Sequence, residues 1–218
     1  MQFQFFDPEG DVLISSRKLP HWEQAGTTCF ITFRTDDSLP ETVLSKLKSE
    51  RAAWLRARGI DVRKPDWKSQ IRGLSSLDQR VYYETFTGRW LDLLDEGHGE
   101  CLLRQPRFSQ VVAEALHFFD EDRYVLGDFV VMPNHVHLLV QFPGPAQMRK
   151  QCRSWKRFTA IQINRQLSRS GHIWQGESFD HLVRSAEQFA FLRKYIADNP
   201  IKARLQPDEY IHYVRQEK

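Results

Sequence analysis

A chain of 218 residues is long enough to bury a core and fits one domain with an elaboration. Its composition, 41% hydrophobic and 27% charged, is that of an ordinary globular protein, and no apolar run approaches the length needed to span a bilayer. With no basic-then-apolar leader at the amino terminus, a cytoplasmic protein without a membrane partner is expected. The net charge of +3 conceals an asymmetry. Between Phe129 and Gly176 there is no acidic residue, whereas Arg149, Lys150, Arg153, Lys156, Arg157, Arg165 and Arg169 are all basic. A face of this kind suits a polyanion such as DNA, although many basic runs are only solvated helix faces. Cys29, Cys101 and Cys152 are scattered and odd in number, which indicates neither a disulfide framework nor a cysteine metal motif.

In chain order, residues 27–34 alternate Cys29, Ile31 and Phe33 with Thr28, Phe30 and Thr32 and predict a strand. Ser38, Pro40 and Glu41 announce a helix running to about Arg58 before Gly59, with Ser38 as its cap. A second helix is predicted from Ser76, capped by spacing to Gln79, through Trp90 and Leu94 to Gly97. Together they read as a helical insertion over about residues 37–99. Its aromatics, Trp54, Tyr82, Tyr83, Phe86 and Trp90, suit packing better than base stacking, while Arg51, Arg56, Arg58, Arg63 and Lys64 could reach a ligand backbone.

Residues 106–120 form an amphipathic helix, and two apolar runs at 124–132 and 135–142 meet at Pro133 and Asn134, a pairing suited to a tight hairpin. A basic helix over 147–167 is closed by Gly171, and short extended pieces follow at 173–175 and 178–182. A helix over 185–198 is stopped by Pro200, and residues 207–218 read as a polar tail. This order predicts an α+β sandwich, a central antiparallel sheet with helices packed on it, in one domain over 1–218.

Two places carry chemistry. Strand side chains alternate, so His135 and His137 leave one face about 7 Å apart, with Val136 in the core and both imidazoles on the exposed side. They are half of a metal site or two polar residues on a wet face. Tyr195 and Asn199, four apart, share a helix face. They bring a phenol and an amide to one place, or else Tyr195 merely continues the Phe191 and Leu192 stripe and Asn199 ends the helix. Trp155 and Phe158 lie within the basic helix, where exposed rings could stack on bases.

Taken together, Met132-Pro-Asn-His-Val-His-Leu-Leu139, Tyr195-Ile-Ala-Asp-Asn-Pro200, Ile173-Trp-Gln, Phe179-Asp-His181, Leu19-Pro-His-Trp22 and Cys29-Phe-Ile-Thr-Phe-Arg34 resemble the single-tyrosine HUH transposases. Within that family they resemble the REP-associated tyrosine transposases, over roughly residues 17–36 and 100–206. The resemblance implies a ferredoxin-like arrangement, with Tyr195 as nucleophile and His135, His137 and Asn199 holding Mg²⁺ or Mn²⁺. It implies nicking and rejoining of single-stranded DNA at hairpins through a 5′-phosphotyrosine, by a monomer or homodimer. The alternatives are a domesticated hairpin-binding protein that does not require catalysis, and a histidine-metal phosphodiesterase that uses water. His181, Asp180, Lys194 and Asp198 are candidates for a general base by proximity in sequence.

Overall fold

The structure, a computed structural model, describes residues 3–16, 20–82, 85, 86, 89, 93, 94, 96–144 and 146–216. Leu19, Tyr83 and Trp90 of the sequence expectations lie outside the described residues. The chain divides into two compact units, residues 37–99 and the remainder.

In the larger unit a two-stranded ribbon of β1 (Leu13–Ser16) and β2 (Pro20–Glu23) precedes β3 (Thr28–Arg34). Within residues 37–99 lie α1 (Glu41–Arg56), the single turn α2 (Trp67–Gln70) and α3 (Ser76–Tyr82). Pro40 rather than Ser38 occupies the cap of α1, and Ser75 caps α3 by accepting from the Asp78 N–H at 3.1 Å. Trp54, Tyr82 and Phe86 pack ring on ring at 5.4–5.9 Å and form this unit's core with Leu55, Ile60 and Ile71. Their role is therefore packing. Arg58 stacks over Trp54 and pairs with Asp78, and Arg63 pairs with Asp61, so these two guanidinium groups have partners within their own unit.

The larger unit resumes with α4 (Pro106–His117), opened by a proline at its first position, and then β4 (Val125–Val131) and β5 (His135–Gln141). It continues with α5 (Gln147–Gln166), β6 (Phe179–Leu182), α6 (Ala186–Lys202) and β7 (Ile211–Tyr213). The sheet is antiparallel throughout, in the order β6-β3-β5-β4-β7. Without β7, the path β3-α4-β4-β5-α5-β6 is the split βαβ arrangement of a ferredoxin-like fold, as the family resemblance implied. The 207–218 tail departs from expectation. Alternate apolar residues Ile211 and Tyr213 let it pair with β4 as a fifth strand.

Two apolar layers sandwich the sheet. Ile31, Phe33, Val136, Leu138 and Val140 face α4 and α5, where Phe108, Val112, Leu116, Trp155 and Ile163 meet them. Phe30, Val130, Met132 and Leu139 face the other way, under Leu192 and Ile196 of α6. Among the described residues no helix is long and apolar enough to cross a membrane.

The register of β4 against β5 shifts between Leu126 and Phe129. This bulge restarts the alternation, so Leu126 joins the α4 and α5 side while Asp128, two residues on, meets Arg193 of α6. Gly127 permits it: a Cβ there would sit 2.9 Å from the Leu139 carbonyl oxygen. Gly127→Ala is expected to cost about 1–3 kcal/mol in urea unfolding, as overpacking does. An unchanged midpoint would show that the bulge yields freely.

Candidate active site

β5 presents His135 and His137 on one face, as their spacing predicts, but that face is not the exposed side. Both are fully buried, because α6 lies across it. The cause is tertiary: Leu192 and Ile196 seal the helix onto Phe30, Val130 and Leu139, and Arg193 donates to the buried Asp128 carboxylate at 2.8 Å. Asp128 also accepts from the backbone N–H of Arg215 at 3.0 Å. The rings of His135 and His137 have centroids 4.6 Å apart, and the Tyr195 ring is 5.2 Å from His137. The Tyr195 hydroxyl lies 3.5 Å from His137 Nε2.

One turn on, Asn199 is fully buried beside the histidines. Its amide is near enough to His135 to favour that ring's charged form, yet neither of its polar atoms completes a hydrogen bond among the described residues. Pro200 does not stop the helix, which continues to Lys202. Proline forfeits only the bond its own N–H would give to Ile196, and the helix carries on for the last few residues.

Burial dominates the electrostatics. It drives the pKa of His135 down to about 3 and that of His137 well below the ordinary histidine value, the neighbouring His135 adding to the second effect. Both imidazoles are therefore neutral near pH 7 and offer lone pairs. His137 Nδ1 is 2.7 Å from Thr32 Oγ1 and His135 Nδ1 is 2.7 Å from Asn134 Oδ1. In the sequence Thr32 is marked only as a polar residue of an alternating strand, with no sign that it meets a histidine.

The candidate bases separate. Asp180 pairs in register with Ile31, on the α5 side of the sheet, and Lys194 is ion-paired to Asp198 at 2.9 Å on the outer surface of α6. His181 alone shares the histidine face, with the Phe30 ring between: 5.3 Å to His181 and 5.4 Å to His137. Burial lowers its pKa to about 4.

The basic helix α5 packs on the opposite side of the sheet from the histidines, so its adjacency in sequence is not adjacency on one face. Lys150, Arg153 and Arg157 follow one another at helical spacing and are exposed, as is Arg165 about two turns on, with Phe158 exposed beside Arg157. Arg149 pairs with buried Glu23 at 3.1 Å, Lys156 donates to the carbonyls of Gln175 and Gly176, and exposed Arg169 pairs with Glu100. Trp155 is buried and donates to Tyr124, and Trp174 is buried and donates to Thr159, which makes both of them core residues.

Residues 104–199 match the family described as "Transposase IS200 like". A Haemophilus influenzae protein, provisionally named a REP-associated tyrosine transposase, is 31% identical over 88 residues, which cover 33% of this chain and 47% of that relative. The chain thus spans about half the length of this curated relative. A solved structure of a REP-associated tyrosine transposase bound to a REP hairpin aligns over 93% of this chain and 95% of its own at 14% identity, with a TM-score of 0.45.

The depressed histidines carry a sign. Below about pH 6.5 the unfolded chain binds protons that folded His135 and His181 refuse down to about 3 and about 4. Stability is expected to be full above pH 6.5 and to fall as the pH drops towards 4. In urea unfolding, His181→Gln should flatten this decline; a slope as steep as wild type would remove His181 from the cause.

Proposed function

From the match of residues 104–199 to the IS200-like transposase family, we propose that this chain nicks and rejoins single-stranded DNA at hairpins through a covalent bond to Tyr195. The observation that carries the reading is the placement of the Tyr195 hydroxyl 3.5 Å from His137 Nε2, beside a second buried imidazole and an amide whose polar atoms make no hydrogen bond among the described residues.

The donor set fits a divalent cation. Two neutral imidazoles and a buried amide without a hydrogen-bond partner among the described residues are suited to hold Mg²⁺ or Mn²⁺ through His135, His137 and Asn199, and they leave its charge undiminished. Such a cation, when bound, supplies positive charge for a phosphate oxygen and for the departing 3′ oxygen. The chain's own part is nucleophilic. The Tyr195 oxygen forms a bond to phosphorus and the bond from phosphorus to the 3′ oxygen breaks; the phenolic proton passes to water, and the 3′ oxygen takes a proton from water and leaves as a hydroxyl. The product remains a phosphodiester, so a 3′-hydroxyl reverses the step at the same or another strand without a nucleotide cofactor. Because α6 is held to the sheet through Arg193 and Asp128, Tyr195 is oriented before DNA arrives.

Strand binding falls to Lys150, Arg153, Arg157 and Arg165, with Phe158 as a stacking surface; Arg149, Lys156 and Arg169 join it from their intramolecular contacts. Hairpins as the preferred form follow from the resemblance to the REP-associated transposases.

Tyr195→Phe should abolish covalent attachment to single-stranded hairpin DNA while leaving binding within a few-fold of wild type. An adduct from the variant on a denaturing gel would mean that another residue is the nucleophile. Wild-type cleavage should stop on chelation and return with Mg²⁺ or Mn²⁺, and chelator-resistant cleavage would end the metal-assisted reading. If about four phosphates are neutralised, the log–log salt slope of binding should be near about −3. Neutralising Arg153 and Arg157 together should flatten it, and an unaltered slope would place the strand elsewhere.

A further inference from the structure

A neutral imidazole has one N–H and one lone pair, and the partner of one nitrogen decides what the other can offer. At His135 the Nδ1 faces the Asn134 side-chain oxygen at 2.7 Å; a carbonyl oxygen only accepts, so Nδ1 donates and the lone pair stands at Nε2. His137 repeats the pattern with a partner from another strand. Thr32 lies directly opposite it in the pairing of β3 with β5, and the Thr32 hydroxyl is 2.7 Å from His137 Nδ1. Both residues are fully buried. A buried hydroxyl costs stability unless it is hydrogen-bonded, and valine would fill the same space more cheaply, so the threonine needs a polar reason to be there.

We propose that Thr32 is a positioning residue: its hydroxyl accepts from His137 Nδ1 and thereby fixes the tautomer whose Nε2 lone pair points at Tyr195, as Asn134 does for His135. Without that acceptor the desolvated Nδ1–H loses its partner. The ring then gains by moving its proton to Nε2, where it donates to the Tyr195 oxygen and closes the lone pair to any cation. The consequence for metal rests on the proposed function; the tautomer itself does not.

The test uses the full chain with Thr32→Val and Thr32→Ser, compared by thermal unfolding, by ¹⁵N chemical shifts of the His137 ring without metal, and by Mn²⁺ titration followed by electron paramagnetic resonance. Wild type and Thr32→Ser should show the Nδ1–H tautomer and Mn²⁺ affinities within a few-fold of each other. Thr32→Val should shift the ring towards Nε2–H and bind Mn²⁺ about 10- to 100-fold more weakly, the range for loss of an outer hydrogen-bond partner. A folded Thr32→Val with wild-type shifts and affinity would overturn the proposal. So would an Nε2–H tautomer in the wild type, a result that does not depend on any variant folding. Wild-type protein with the Nδ1–H tautomer but no Mn²⁺ binding would uphold the role of Thr32 and sink the metal reading instead.

Discussion

The pleat of β5 is the constraint on which the molecule depends. Its even-numbered residues, Val136, Leu138 and Val140, complete the layer under α4 and α5, while His135, His137 and Leu139 face α6. One strand therefore serves as core on one side and as candidate chemistry on the other, and a slip of one residue would exchange the two sets. Pairing on both flanks, with β3 and with β4, fixes that register, and the short turn at Pro133 and Asn134 sets its start. Because β3 is locked to β5 residue by residue, Thr32 comes opposite His137 with no help from local sequence.

Opposing α6 to this face requires burying charge as well as apolar surface. The Asp128 carboxylate is almost entirely removed from water, and it takes hydrogen bonds from both the Arg193 guanidinium and the Arg215 backbone. Desolvation of such a pair offsets much of its attraction, so its contribution lies less in stability than in selecting one seat for the helix. Apolar contacts of Leu192 and Ile196 supply the driving force, and the ion pair supplies the address.

Much of this was legible in the chain. The strand around Cys29, Ile31 and Phe33, the hairpin at Pro133, the basic helix and the tyrosine helix all follow from short-range periodicity, and the structure contains each of them. The convergence of Tyr195, Asn199 and the two histidines came from the resemblance rather than from spacing. What escaped was tertiary. Nothing within residues 131–140 shows that a helix from fifty residues downstream will cover the histidine face, so the imidazoles were expected in water. The side of the sheet taken by α5 is likewise set by its crossover from β5 to β6, which is why a basic run next to the histidines in sequence ends up behind them. The strand in the tail has only three residues, too few to announce a period.

Arg215 gives the carboxyl-terminal stretch an importance its polar composition does not suggest. Beyond bonding Asp128 through its backbone, its side chain pairs with Asp120 and Glu121 and donates to the Leu126 carbonyl. It ties the start of β4 and the turn before it to the carboxylate on which α6 is seated. Residues 207–216 thus act as a girth strap: a chain cut before Arg215, or one with a bulky fusion pressed against it, would loosen the seat of Tyr195 without altering any residue near the histidines.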